Sequence, residues 1–448
     1  MRGFLIIVFL ALLVIPVMGV AQTSEPQVRE PVWMIPDPVV DVAISGDKSV
    51  VAIAATDTLK VYDINGNLLW SWAAPSGFTF SAVAVSKDGN SVAASYYQTT
   101  PVESSYIVFW SNAKSLRGTP DPDWVSRNLL GKIGEEALAV TGDGKHVAAV
   151  GTGPNIFYWV NAISLTGSDV GYTWSDYKSP WYLEYVGVSN DGNILVAAGI
   201  IREPETSIIN VYLYKNAATA TPTLFKTWSF TTPSTYVPAA LSDDGRYFVI
   251  ALGSHISVID TSTGEIIWNS TDLFGDISAV DISGDGSTVV VGVNAYGLSP
   301  YSIEIFHNIA SKSGSAVTPD ISVTAIQGFS DIDFTDIALD YRGDVAIAGT
   351  GDYVFAIDTN TGELLWYYGA ATPSVSVVVD ISDDGAYAVT GGGVFDSAYI
   401  FNVRGEVQLV GGELISSQTA SFHYILAVIA VIVLMLAIVI VSKSKRFY

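Results

Sequence analysis

The chain reads as all-β: an eight-bladed β-propeller of four-stranded blades, with one C-terminal transmembrane helix. Three observations lead there. An apolar strand, a polar turn that usually reads Ser-x-Asp-Gly and a second apolar strand recur along the sequence. The turn residue falls at positions 47, 88, 143, 191, 244, 285, 342 and 384, so successive copies lie 41 to 57 residues apart. Residues 425–441 contain no charged or strongly polar side chain.

The first 21 residues carry Arg2, an apolar run over 4–17 and the small residues Gly19 and Ala21 flanking Val20. That pattern is a secretory signal peptide. Residues 22–38 hold Pro26, Pro31, Pro36 and Pro38 and form an extended lead-in. The propeller is expected over 39–410 and a spacer over 411–421. Residues 422–441 are long enough to span a bilayer core, which takes about 20 apolar residues. Lys443, Lys445 and Arg446 follow at once and hold the tail, 442–448, on the cytoplasmic side. The expected location is the cell membrane, single-pass, with the propeller outside.

No cysteine occurs, which excludes disulfides, thiolate metal sites and cysteine nucleophiles. Arg2, Lys443, Lys445 and Arg446 lie outside the ectodomain and no acid does. The ectodomain is therefore four charges more negative than the whole-chain −23. Such a surface repels nucleic acid and suits cations, basic partners or plain solubility. Asn269, Ser270 and Thr271 form a glycan-acceptor triplet.

Within each copy, period-2 alternation of Val, Ile and Ala makes a half-buried strand, and Asp-Gly supplies the positive φ of a tight hairpin. Third strands follow, as at 59–64, 256–259 and 353–357. Fourth strands carry Trp70, Trp124, Trp174, Trp228, Trp268 and Trp366, expected to pack between blades. Four short strands in each repeat are the signature of propeller blades. Loops between second and third strands are longer in even blades: 96–105, 200–207, 293–301 and 392–397. Insertions of this kind mark a binding face, and Tyr96, Tyr97, Tyr296, Tyr301 and Phe395 are its candidate contacts. Blades two, three, four and six also have long loops before the fourth strand, expected to project from the opposite face. Which face serves function stays open. So does ring closure, because residues 406–410 and residues 32–35 both read as the last outer strand.

The stretches 353–366 and 256–268 share Asp-x-x-Thr-Gly followed by Glu and Trp, and 61–70 matches less fully. They resemble the quinoprotein-like (PQQ-like) repeat. The Ser-x-Asp-Gly hairpins also resemble tryptophan–aspartate (WD-like) and surface-layer YVTN propellers. The resemblance covers about residues 31–410 and implies an eight-bladed ring. Enzymes of the quinoprotein family bind a quinone and calcium, commonly beside a vicinal cysteine pair. This chain has no such pair, and no quinone ligand or catalytic Asp transfers to it. The repeat style, the missing cysteines and the short basic tail together suggest an archaeal surface protein.

Four histidines, His146, His255, His307 and His423, show no metal-ligand spacing. Acids stand where first strands begin, Glu135, Glu136, Glu184, Asp331, Asp333 and Asp336, with Asp276 at the exit of blade five. First strands line the channel, so these acids are expected to ring one mouth, where oxygen ligands would suit calcium. Two stretches, 281–286 and 380–385, mimic a calcium loop but lack its closing Glu and are better explained as hairpins. The preferred reading is therefore non-catalytic, with no cofactor: a surface-anchored scaffold recruiting a protein or glycan. The alternatives are a quinone- or calcium-dependent surface dehydrogenase and a structural envelope constituent.

Overall fold

A computed structural model of the chain describes residues 27–405, apart from 101–102, 130, 152, 179–181, 204–205, 295–300, 325–328, 330–331, 370–376 and 393–396. Their strands form eight sheets, each antiparallel through its four blade strands. Blade one runs Val39–Ile44, Val51–Ala55, Thr58–Tyr62 and Leu68–Ala73. Inner strands of the other blades are Thr79–Val85, Leu138–Val140, Tyr182–Val188, Ala239–Leu241, Asp276–Ile282, Phe334–Leu339 and Val378–Ile381.

The recurring turn has a physical reason. In blade one the Ser45 hydroxyl donates to Asp47 (2.8 Å) and accepts the Val50 N–H (3.0 Å). The same two bonds recur around Ser86, Thr141, Ser189, Ser242, Ser283 and Ser382. The hydroxyl thus satisfies a buried strand N–H while the Asp carboxylate caps the turn. Glycine follows with φ of 65–74° in seven blades, and Lys48 takes that place in blade one at 63°. In blade seven Asp340 replaces the Ser and accepts the Val345 N–H (3.1 Å).

The core sits between blades. Val61 and Trp70 of blade one pack with Phe80, Val92 and Trp110 of blade two in one cluster. Trp70 donates its indole N–H to Ala113 of the next blade (2.8 Å). Trp124 does so to Ala162 (3.0 Å), Trp174 to Ala217 (2.9 Å), Trp268 to Ile309 (3.0 Å) and Trp366 to Val403 (3.1 Å). The inter-blade role expected for these tryptophans holds. Trp228 also packs, half-buried, against the cluster between blades four and five, but without the indole bond. It pairs with Val211, two residues along from Lys226, which stands opposite Leu213 where the other blades set their tryptophan.

The ring closes with the N-terminal segment. Trp33–Ile35 is the fourth strand of blade eight, antiparallel to Ala398–Asn402. Trp33 plays the tryptophan role across that junction, donating to Ile64 of blade one (2.9 Å). Residues 406–410 lie outside the described residues.

The long loops before fourth strands do not project as expected. Those of blades three and six turn back along the rim and pair with the preceding blade as Gly167–Val170 and Gly314–Val317. Blade two's loop touches blade one through a Trp70–Gly118 bridge. Backbone polar groups left by the fourth strand are satisfied this way. Among the described residues no helix is long and apolar enough to cross a membrane, and residues 422–441 lie outside them.

Candidate functional site: a channel open at one end

The two ends of the channel differ. At the hairpin end, the second residue of each turn points toward the axis: Gly46, Lys87, Gly142, Asn190, Asp243, Gly284, Tyr341 and Asp383. Lys87 of blade two reaches across to Asp243 of blade five (3.1 Å) and Asp383 of blade eight (2.8 Å). Burial opposes its charge, but the two carboxylates outweigh that and raise its pKa. The turns are also tied by backbone bonds: Asp47 to Lys87 (2.9 Å), Tyr341 to Asp383 (3.1 Å) and Asp383 to Gly46 (3.2 Å). The space is tight. A Cβ at Gly46 would fall 2.3 Å from Asp383 Oδ2, and one at Gly284 would fall 2.4 Å from the Tyr341 ring. This end is a latch. Sequence reasoning passed over Lys87, although it is the one cation among the eight second positions.

Along the wall, four aspartates clip neighbouring inner strands. Each accepts the next residue's N–H and one from the following blade. The inter-blade bonds run to Asp41 from Val83 (2.7 Å), to Asp281 from Leu339 (2.7 Å), to Asp336 from Val379 (2.8 Å) and to Asp380 from Ile44 (2.8 Å). Asp336, expected at the mouth, is therefore a clip within the ring. It lines a 320 Å³ cavity with Asp41, Glu136 and Asp380.

Burial pushes Asp281 up to about 7 and Asp380 up to about 6, against the pull of their N–H donors. Unfolded, both titrate near 4. The folded ring thus holds these protons more tightly. Their stabilising contribution is complete below pH 4 and is lost as pH rises through 6 to 7. Thermal melts should show a higher Tm at pH 5 than at pH 8, with about 2 kcal/mol of the difference due to this pair. Asp281→Asn with Asp380→Asn should flatten that slope. An unchanged slope would assign it to other groups.

At the other end Glu136, Glu184, Asp276 and Asp333 come together from blades three, four, six and seven around a 770 Å³ funnel. Residues 233–238, which link blades four and five, form its rim, with Tyr236 64% exposed. Arg202 holds that rim by donating to Thr235 (2.8 Å) and pairs with Glu184 (2.7 Å). Asp276 opens the inner strand of blade six rather than leaving blade five. The Glu135 side chain and Asp331 lie outside the described residues.

The aromatic candidates fare differently. Tyr96 lies in the strand Ser91–Gln98, 5% exposed, among Trp72, Phe78 and Tyr106. Tyr301 is equally buried and donates to Phe329 (3.0 Å). These two are core: the strand Ser91–Gln98 runs further than the loop reading allowed and takes in Tyr96, while Tyr301 packs inward just before the strand Ser302–His307. Tyr97 is half-buried, with Lys132 over its ring at 5.0 Å. Tyr296 and Phe395 lie outside the described residues. Asn269 sits within the strand Glu265–Ser270, half-buried, and accepts from Ser257 (2.6 Å).

Among the described residues no three acids or histidines converge as metal ligands. Asp285 and Asp384 spend their oxygens on hairpin bonds, and Asp384 also pairs with Lys48 (2.5 Å). His146 stacks on Tyr158, and His307 bonds to Thr288 and Thr359.

Comparison of the fold places it. The C-terminal WD40 domain of Sif2, in its crystal structure, superposes with a TM-score of 0.62 at 13% identity, over 85% of this chain and 99% of that one. By fold, this chain is a β-propeller with a WD40-like neighbour. No family model matches it, and no curated protein does. At that identity the likeness covers architecture alone.

Proposed function

We propose that this propeller is a non-catalytic binding module, displayed at a cell surface by its C-terminal apolar segment, and that it captures a protein partner at the open mouth. One observation carries the choice of face: the channel is latched by Lys87 at the hairpin end and opens as a carboxylate-lined funnel at the other. A rigid ring with one concave acidic mouth suits a protruding Lys or Arg of the partner. Charge of this kind steers encounter and sets specificity. The WD40-like architecture, widely used for protein scaffolds, supports the same reading.

Full-length protein in mild detergent, cross-linked in native membranes and then purified, should bring down a stoichiometric partner. Glu184→Gln, Asp276→Asn and Asp333→Asn together should weaken capture at least tenfold and reduce its salt dependence. Their thermal stability should stay within about 1 kcal/mol, since the side chains sit at the surface. Undiminished capture by the triple variant would remove the mouth from consideration. A glycan in place of a protein would redirect the reading to carbohydrate.

A further inference from the structure

Among the described residues three blades carry a fifth strand beyond their own four. Gly167–Val170 runs parallel to blade two with Gly167 opposite Trp124. Gly314–Val317 runs parallel to blade five with Gly314 opposite Trp268. Gln27–Val28 does the same on blade seven, opposite Trp366 and Tyr367. The first two share a pattern, Gly-Ser-x-Val. In each the glycine has positive φ, 95° and 104°, and the valine lies opposite Ser126 or Ser270.

Both of these strands come from a long loop of the following blade. Blade five has no such loop. Its third and fourth strands are joined by a tight turn in which Asp260 accepts the N–H of Ser262 (2.8 Å) and of Gly264 through its carbonyl (2.8 Å). That turn meets blade four through side chains, with Lys215 donating to the Ser262 carbonyl (2.6 Å), but adds no strand to its sheet. The outer strand of blade four, Thr223–Thr232, is therefore the edge of its sheet among the described residues. At ten residues it is far longer than the other open outer strands, Trp174–Tyr177, Ile321–Thr324 and Trp33–Ile35.

We propose that this edge takes an extended segment of a partner protein as a parallel fifth strand, with a segment of the Gly-Ser-x-Val kind as the occupant. The two internal fifth strands show what such an edge accepts in this molecule. Leu224 and Phe225 are 43% and 40% exposed on it, and its single charge, Lys226, is already paired with Glu265 (3.3 Å). A 700 Å³ groove lies alongside, from Phe230 past Ile266 and Asn269 to Ser315 and Ala316 on blade five's own fifth strand. It gives alternate side chains of the incoming strand a place to settle. In strand addition, main-chain bonds supply affinity and such pockets supply selectivity.

The probe is a labelled peptide copying residues 312–318, Lys-Ser-Gly-Ser-Ala-Val-Thr, added to full-length protein in detergent. Saturable binding should slow amide exchange across 223–232 at least tenfold and leave other blades unchanged. Leu224→Asp with Phe225→Asp, both exposed, should abolish binding at an unchanged melting temperature. The triple mouth variant should bind normally, which separates this edge from the proposed mouth. Absence of protection at 223–232, or protection elsewhere, overturns the proposal. Concentration-dependent dimers that protect 223–232 without peptide would also overturn it, by assigning the edge to a second copy.

Discussion

Removing residues 22–36 should open the ring. The deletion strips the fourth strand of blade eight and the fifth strand of blade seven at once. It removes the Trp33 bond to Ile64, the Trp33 contact with Tyr62 (centroids 5.4 Å apart), the Val32 bond to Ile400 (2.7 Å) and the Arg29 bonds to Asn402. Ile400 and Ala398, now without measurable exposure, would sit on a bare edge. Loss of one large buried aromatic costs about 3–5 kcal/mol, and the deletion should exceed that. Calorimetry should show the transition lowered or broadened. Amide exchange across 398–402 should become fast, and the freed edge should promote aggregation. An unaltered transition would mean that another segment supplies the closing strand.

Trp124→Ala should be the most costly single substitution, and Trp228→Ala a mild one. Trp124 is fully buried, stacks between Phe109 (5.4 Å) and Trp159 (5.6 Å), and satisfies the Ala162 carbonyl of the next blade. Its loss leaves a cavity and an orphaned acceptor, about 3–5 kcal/mol. Trp228 is only half-buried and makes no indole bond to blade five, so about 1 kcal/mol is expected. Chemical unfolding of the two variants checks this directly. Equal losses would return Trp228 to the set of inter-blade locks.

The contrast between these tryptophans shows how far sequence reaches. Both stand in an apolar fourth strand and look alike on the page. Only the ladder reveals that Trp228 stands two residues beyond the locking position, a shift that keeps its face toward blade five but leaves it without the indole bond of its counterparts. Tyr96 was misplaced for a related reason. Loop length was read from turn residues, but strands extend wherever a partner strand continues to offer hydrogen bonds. Glu136, Glu184 and Asp333 were read from their places at inner-strand starts, whereas Asp276, read as leaving blade five, joins them at the funnel by opening blade six. The Lys87 latch was not. Its turn lies some 150 residues from that of Asp243 and some 300 from that of Asp383, and no local pattern records which blades face each other across a ring.

The sequence by itself determined the repeat, its number, the hairpin chemistry of Ser-x-Asp-Gly and the net acidity. All of these depend on residues within one blade's length or on simple composition. Tertiary structure alone decided that the N-terminal strand closes blade eight, that one channel end is latched and the other open, and that blade four lacks the fifth strand found on blades two, five and seven. These are contacts between distant blades. They follow from closing eight similar sheets into a circle, where each strand's partner is set by ring geometry and not by its own residues.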